Sequence, residues 1–175
     1  MAHPDVRQAL KRDQDIVTGL WMDFLKEQSE NDNRLRVSED ARERWENDFG
    51  AWLEDETRRI YVAEREGDVV GFATAHRTAP PPIYETNGEV YLDEIYVVPD
   101  HRRGGYGAQL VEAVVAWSDR VRAERIRLSV LEQNAAARAF WESQDAVSFS
   151  RTYTIERQPV EEAGDDEGTK KIGFR

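Results

Sequence analysis

Hydrophobic residues recur at two different spacings along the chain, and the alternation between the spacings predicts a mixed fold of strands and helices. Near the N-terminus, Val6–Leu10 is compatible with a short first strand. Residues 16–25 and 45–53 then place apolar side chains three and four positions apart, which is typical of helices with one buried face. Asp13 and Ser38 precede these segments and predict their N-caps.

Strand patterns dominate the middle of the chain. Ile60–Glu64 and Val69–Ala75 flank a short polar turn, which predicts a β-hairpin. A proline-containing connection over 78–88 cannot continue the sheet, and it separates the hairpin from the apolar run Val90–Val98. We interpret that run as the central strand. Arg125–Leu131 predicts a further strand beside it.

Two more helices and a last strand complete the predicted domain. Apolar residues between Leu110 and Val121 recur at helical spacing. Asn134 precedes the alanine-rich Ala135–Glu142 as a helix cap would. Val147–Ile155 alternates and is expected to close a sheet of about six to seven strands, flanked by helices in an α/β (α+β) arrangement.

Composition limits the domain count and the partners. With 39% hydrophobic and 34% charged residues, the 175-residue chain is expected to form one soluble domain over 1–157, and 158–175 an acidic tail. The net charge of −11 argues against nucleic acid or a membrane as partner and favours a cationic substrate. The chain has no cysteine and no signal-peptide features, so a cytoplasmic location is expected.

The turn after the central strand has the features of an anion site. Arg102-Arg103-Gly104-Gly105-Tyr106-Gly107 lies between the strand and the next helix. Glycines let a backbone approach a ligand closely, and the first N–H groups of a helix lack partners and bind oxyanions. A Rossmann dinucleotide site is the main alternative. Its G-x-G-x-x-G belongs at the first strand, however, and position 110 is Leu.

Two motifs in this order carry a family resemblance. Arg102–Gly107 matches R-x-x-G-x-G, and Asn134–Trp141 is close to N-x-x-A-x-x-F-Y. From about Val6 to Ile155, the chain resembles the GCN5-related N-acetyltransferase (GNAT) superfamily. The resemblance implies that fold, with splayed central strands that hold acetyl-CoA, and it implies an enzyme that acetylates a primary amine, by direct attack on the thioester.

The resemblance also implies positions for acetyl-CoA, the expected cosubstrate. No metal is expected, because three histidines and no cysteine give no metal-ligand spacing. The pyrophosphate of acetyl-CoA is expected on the N–H groups of Arg103–Ala108, and its pantetheine arm along Tyr96–Val98. Asn134 is expected to bind the pantetheine, although it can also serve only as a helix cap, and Trp141 can be a core residue. The expected cofactor residues are Tyr96, Val97, Val98, Arg102, Arg103, Gly104, Gly105, Tyr106, Gly107, Ala108, Asn134, Phe140 and Trp141.

Catalysis needs a base, because a lysine-like amine with a pKa near ~10.4 arrives protonated. Asp93 and Glu94 are the carboxylates nearest the expected thioester. Neighbouring strand residues point to opposite faces, so only one is expected to face the acceptor. By resemblance to family members in which the first acid does so, Asp93 is the expected base and Glu94 the second choice. A backbone N–H near Val97 is expected to polarise the acetyl carbonyl.

Trp141 departs from the family pattern, which usually has Tyr there as an acid toward the CoA thiolate. An indole N–H does not give up its proton at useful pH. Tyr96 and Tyr153 are candidates to replace it, or CoA leaves as the thiolate. The Gly-Phe that commonly follows in the family is replaced by Asp145-Ala146-Val147.

The expected acceptor is a small cationic molecule. A non-catalytic acyl-CoA-binding module and an acetyltransferase for protein lysines or N-termini are the alternatives, and a homodimer is left open. The helices between Trp21 and Trp52 and the loop Ile83–Gly88 are expected to cover the acceptor cleft. His76 and His101 are expected to have no role at the site.

Overall fold

Helices cover both faces of a five-stranded mixed sheet in the computed structural model, which describes residues 5–157. The sheet has the spatial order β1-β2-β3-β4-β5, with antiparallel pairing from β1 to β4 and parallel pairing between β4 and β5. The strands are β1 (Asp5–Gln8), β2 (Arg58–Arg65), β3 (Asp68–Thr78), β4 (Glu89–Val97) and β5 (Arg125–Arg127). The helices are α1 (Gln14–Asn31), α2 (Ala41–Glu54), α3 (Tyr106–Arg120) and α4 (Ala135–Ser143).

Strand β2 shows why the middle of the sheet is apolar without interruption. Ile60 and Val62 pack with α1 and α2, while Tyr61 and Ala63 pack with α3 on the opposite face. Successive side chains of a strand point to opposite faces, and both faces are covered here. An apolar run therefore replaces the alternation expected for a half-exposed strand.

Large side chains anchor the helices to the two faces. Phe49 of α2 and Phe72 of β3 are fully buried on one face, and Leu110, Val114 and Trp117 of α3 are nearly or fully buried on the other. Burying a side chain of this size contributes about 1.5–3 kcal/mol. This packing fixes the positions at which α1 and α3 reach β4.

Strands β4 and β5 separate after a short pairing. Glu89, Val90 and Tyr91 pair in register with Arg125, Ile126 and Arg127, and the ladder stops there. The Glu89 carboxylate, which is 2% exposed, forms ion pairs of 3.4 Å with both Arg125 and Arg127. These ion pairs connect the two strands within the short paired segment, before they diverge after Tyr91 and Arg127.

Several boundaries differ from the sequence-based expectation. Residues 5–157 contain five strands instead of six to seven, because Val147–Ile155 forms no strand. The strand expected over Arg125–Leu131 is present but ends at Arg127. Val147 and Ile155 are both 88% exposed. Alternation marks the face that a strand would bury, but it supplies no pairing partner for the backbone.

The helix starts and the division of the chain also differ in detail. Helix α2 begins at Ala41, after the predicted cap Ser38. Asp13 holds the N-cap position of α1, but its carboxylate binds Arg7 and the N–H of Leu10. The chain divides into two units after Asp145, and the described part of the second, 146–157, has no helix or strand. The predicted tail, 158–175, lies outside the described residues. None of the helices in residues 5–157 has the length and apolar character needed to span a membrane.

Candidate active site

A cleft of about 810 Å³ opens where β4 and the segment after β5 diverge. Its walls are β4, residues 128–131, the start of α3, the whole length of α4 and one side of α1. Most of the residues that the sequence indicated line this cleft together: Asp93, Glu94, Tyr96, Val97, Arg102, Arg103, Gly105, Gly107, Ala108, Asn134, Phe140 and Trp141.

Main-chain groups of β4 face the cleft. Val98 donates its N–H to the carbonyl oxygen of Val70 beside it at 3.0 Å. Since residues of an antiparallel strand alternate between pairing with a neighbour and turning away from it, Val97 and Ile95 direct their N–H and C=O groups away from β3. The carbonyl of Val97 accepts a hydrogen bond from Arg102 Nε at 2.8 Å on that side. Because β5 has already ended, β4 offers a partly open edge to an extended ligand.

The turn between β4 and α3 has the backbone conformation that its glycines predict. Gly105, at the N-cap of α3, has φ +87°, and Arg103 has φ +63°. A Cβ on Gly107 would lie 3.2 Å from the Phe140 ring, so glycine permits α3 to approach α4 closely. Gly105, Gly107 and Ala108, at the start of α3, line the cleft, and the N–H groups of a first helical turn lack intrahelical partners.

Arg102 connects this turn to α1. Besides Val97, its guanidinium binds Glu27 Oε1 at 2.6 Å and lies 5.3 Å from the centre of the Tyr96 ring. Arg102 is thus held against β4 and α1. Burial and the carboxylates of Glu27 and Asp23 raise the pKa of Tyr96 to about 12.

Helix α4 forms the opposite wall of the cleft. Asn134 Oδ1 accepts the N–H of Ala137 at 2.9 Å, so the predicted helix cap is present. Phe140 and Trp141 meet edge to face with ring centroids 5.0 Å apart. Trp141 is 9% exposed and belongs to the core beneath α3. It also lines the cleft, so it is both a core residue and part of the cleft wall.

Three of the predicted cofactor residues lie outside the cleft lining. Val98 directs its N–H to β3 and its side chain into the core. Tyr106 is buried in the core, and Gly104 packs against its ring. Their backbones shape the turn, but no side chain of the three borders the cleft.

A second, smaller cavity of about 150 Å³ lies between α2 and the sheet. Trp45, Trp52, Arg58 and Thr74 contribute to its walls, as do Asp93 and Glu94. Among the described residues, Asp93 and Glu94 are the two that line both cavities. Trp45 and Trp52 belong to the helices that were expected to cover the acceptor cleft, whereas the loop Ile83–Gly88 lines neither cavity.

A β-bulge brings the two carboxylates to the same cavity. In the pairing of β3 with β4, Thr74 lies opposite Glu94 and Ala75 opposite Leu92, which leaves Asp93 as the extra residue. Such a bulge interrupts the alternation of side chains and turns one of them. The expectation that only one of the two acids can face the acceptor side is therefore wrong.

Asp93 has a partner that the sequence did not indicate. His76 Nδ1 lies 2.8 Å from Asp93 Oδ2, and the His76 ring is 5.8 Å from the ring of Tyr91. His76 therefore contacts the site, contrary to the expectation that it has no role. His101, in contrast, contacts Arg65 and Tyr106 away from the carboxylates.

Glu94 is in a different electrostatic environment. Burial raises the pKa of Glu94 to about 7, and the negative charge of Asp93 contributes to the rise. The hydroxyl of Thr74 donates to Glu94 Oε2 and partly opposes this shift. A carboxyl group with a pKa near neutrality can both accept and release a proton under physiological conditions.

Helix α1 contributes to the cleft through residues that local sequence did not single out. Phe24, Glu27 and Gln28 line it. The spacing of Phe24 on the helix predicted only burial, and Glu27 and Gln28 look like ordinary surface residues in the sequence. Their position depends on how α1 packs across β4, which is a tertiary property.

The chain matches the protein-family model described as the acetyltransferase (GNAT) family over residues 20–145. A protein of Archaeoglobus fulgidus described as an uncharacterized N-acetyltransferase is 29% identical over 142 residues, which cover 81% of this chain and 91% of that protein. Among solved structures, a mutant of the BH1408 protein of Bacillus halodurans has a TM-score of 0.78 at 21% identity, over 88% of this chain and 99% of that chain. AAC(6')-Iy, in complex with the bisubstrate analog CoA-S-monomethyl-acetylneamine, has a TM-score of 0.70 at 20% identity, over 90% and 99% of the two chains. The fold of this chain is therefore that of these structures.

Proposed function

The chain belongs to the acetyltransferase (GNAT) family and is an N-acetyltransferase, and from this premise we propose that it moves the acetyl group of acetyl-CoA to a primary amine held beside Glu94. The observation that supports this assignment is that the two cavities share lining residues. The large cleft and the small cavity share Asp93 and Glu94, so a thioester in one would meet an amine in the other at these carboxylates.

The large cleft fits the shape and chemistry of CoA. The N–H groups of Arg103–Ala108, at the start of α3, would bind the pyrophosphate, and Gly105, where a Cβ would meet no atom within 4 Å, leaves space for it. The open edge of β4 at Ile95 and Val97 would pair with the amide groups of the pantetheine arm. Asn134 would donate from its side-chain nitrogen, because Oδ1 already caps α4. A CoA complex of AAC(6')-Iy, whose fold this chain shares, is consistent with this assignment.

We assign the role of general base to Glu94. Acetyl-CoA supplies an activated carbonyl, so the remaining requirement is an amine without its extra proton. With a pKa of about 7, Glu94 is ionised above neutrality and can take that proton, directly or through water. Asp93, held by His76, would keep the incoming ammonium group next to Glu94. The resemblance favours Asp93 as the base, but the bulge places both acids at the small cavity, so orientation does not exclude Glu94.

The main chain and the aromatic residues would complete the site. The N–H of Val97 points into the cleft and would donate to the acetyl oxygen as negative charge develops there. Tyr96, with a pKa of about 12, holds its proton more tightly than a thiol with a pKa near ~8.5. Proton transfer from Tyr96 to the CoA thiolate is therefore uphill, and we propose that solvent protonates the leaving thiolate. Trp141 would pack against the thioester end.

The acceptor is proposed to be a small molecule whose amine enters as a cation. Two carboxylates at the end of a cavity of about 150 Å³ attract an ammonium group, and a cavity of this size admits a ligand of roughly the size of benzene. A long peptide or a protein surface would have to bind outside this cavity.

Release of free thiol tests the proposal. Acetyl-CoA is incubated with the protein and a panel of small amines, and thiol is measured against reactions without amine or without protein. Amine-dependent release, with an N-acetylated product identified by mass spectrometry, is expected. If CoA binds in a calorimetric titration but no amine releases thiol, a non-catalytic acyl-CoA-binding module replaces the proposal.

A further inference from the structure

The small cavity carries both signs of charge. The carboxylates of Asp93 and Glu94 form one part of its lining, and the side chain of Arg58 forms another. Trp45 and Trp52, whose ring centroids are 4.9 Å apart in an edge-to-face arrangement, supply the apolar walls between them. A compact ligand in this cavity contacts an anionic and a cationic group at the same time.

Arg58 is only partly neutralised by protein carboxylates, and its charge also acts on Glu94, where it opposes the rise in pKa that burial causes. Its guanidinium lies over the Trp52 ring, 5.3 Å from the centroid. Within residues 5–157 its ion pair is with Asp55, at a distance of 3.9 Å. Asp55 itself accepts two hydrogen bonds of 2.7 Å from the N–H and hydroxyl of Thr57. The guanidinium keeps donors available, and a planar guanidinium is well suited to bind a carboxylate.

A second ammonium group on the acceptor is disfavoured near Arg58 and Trp52. The face of Trp52, which would attract an ammonium group, is already covered by Arg58. A diamine that placed one ammonium beside Glu94 would bring the other toward the Arg58 charge in a partly desolvated space. The net charge of −11 therefore does not describe the charge preference inside the cavity.

We propose that the acceptor is an aminocarboxylate-like molecule, with its amine beside Asp93 and Glu94 and an anionic group bound by Arg58. This inference rests on the proposed function and narrows it. The expected positive charge belongs to the amine end of the acceptor, while the opposite end is negative. Arg58 is then a residue that determines which amines are accepted.

The test compares aminocarboxylates with their own carboxamides. The two members of each pair have nearly the same shape and differ in the charge of one group. A series with one to four carbon atoms between the amine and the carboxyl carbon covers the spans that the cavity permits, and 1,4-diaminobutane serves as the dication. Wild-type kcat/KM should favour the carboxylate of the best pair by about ten-fold or more, and should be lowest for the diamine.

Variants of Arg58 then test whether this residue causes the preference for the carboxylate over the carboxamide. Arg58→Met keeps an apolar stem of similar length, and Arg58→Lys keeps the charge without the planar fork. The carboxylate preference should fall to within about two-fold of unity in Arg58→Met and persist in part in Arg58→Lys. Far-UV circular dichroism and thermal melts confirm that both variants fold.

Arg58 also acts as a counter-charge that opposes the raised pKa of Glu94, and this role alone gives a different result. Loss of Arg58 would then raise the pKa of Glu94 and shift the pH profile equally for the carboxylate and its carboxamide. An unchanged preference in Arg58→Met, or no preference in the wild type, overturns the inference.

Binding provides a readout that does not depend on turnover. Trp45 and Trp52 form the cavity walls, so intrinsic fluorescence should change as each acceptor is titrated. Preferential binding of the aminocarboxylate without thiol release from acetyl-CoA would contradict the proposed function alone. Amine-dependent thiol release with equal kcat/KM for the aminocarboxylate and its carboxamide would contradict the inference about Arg58 alone.

Discussion

Asp93 and Glu94 are neighbours in β4, yet both side chains line the same small cavity, because Asp93 is the extra residue of a β-bulge opposite Thr74 and Ala75. A regular strand would place them on opposite faces of the sheet. Their proximity has an electrostatic consequence, since the charge of Asp93 adds to the effect of burial in raising the pKa of Glu94 to about 7. The bulge therefore contributes both to the position and to the protonation of the proposed base.

Glu94→Gln should stabilise the protein at pH 8 and have little effect at pH 5. The folded-state pKa of Glu94 is raised from 4.5 to about 7, so the folded state binds more protons than the unfolded state between these values. Stability is therefore lost as pH rises through this window. The amide has no charge to bury, and the variant should gain about 1–3 kcal/mol at pH 8. Urea denaturation at both pH values measures this difference.

The control for this measurement is Glu112→Gln, an exposed position on α3. Its free energy of unfolding should differ from that of the wild type by less than about 0.5 kcal/mol at either pH. Equal effects of Glu94→Gln at pH 5 and pH 8 would show that the pKa of Glu94 is not raised by folding.

Gly105→Asp should abolish CoA binding without unfolding the protein, whereas Gly105→Asn should weaken it only slightly. A Cβ at Gly105 meets no atom within 4 Å, and its left-handed conformation is one that Asp and Asn tolerate. The two variants have the same shape, but only Asp places a negative charge where the pyrophosphate is proposed to lie. Calorimetric titration with CoA should show a difference in Kd of about 100-fold or more. Similar Kd values for both variants would remove this turn from the phosphate site.

Trp141 should contribute packing and no proton. Trp141→Phe is expected to leave turnover nearly unchanged, while Trp141→Ala should cost about 3–5 kcal/mol of stability and weaken acetyl-CoA binding, because the ring is buried against Phe140. Trp141→Tyr restores the residue typical of the family and should change turnover by less than about three-fold. A ten-fold gain would mean that the natural protein lacks a working acid, and would favour the binding-module alternative.

Features encoded in short stretches of sequence were predictable. The β2–β3 hairpin, strand β4, helix α3 and the Asn134 cap follow from residue spacing and turn chemistry, and the structure confirms each of them. Gly105 is predictable for the same reason, because a positive φ at a helix start favours glycine. These features place most of the cleft lining without any knowledge of distant contacts.

The features that the sequence did not reveal depend on contacts between distant elements of the fold. Neither Asp93 nor Glu94 signals a bulge locally, because a bulge is a property of the register between β3 and β4. The contact between His76 and Asp93 depends on the same register. Arg58 lies at the start of β2, and only packing against α2 brings it over Trp52. The sequence therefore indicated the lining of the proposed cofactor cleft better than that of the proposed acceptor cavity.

The pH dependence of turnover tests the assignment of the base most directly. With the fastest amine of the panel at saturation, kcat is measured from pH 5 to pH 9 for the wild type, Glu94→Gln and Asp93→Asn. Wild-type kcat should rise through an apparent pKa of about 7 and then level off. Glu94→Gln should lose this rise together with about 10²-fold or more of the turnover at pH 8, while Asp93→Asn keeps the rise. A profile in which Asp93→Asn loses the rise and Glu94→Gln retains it would contradict the account.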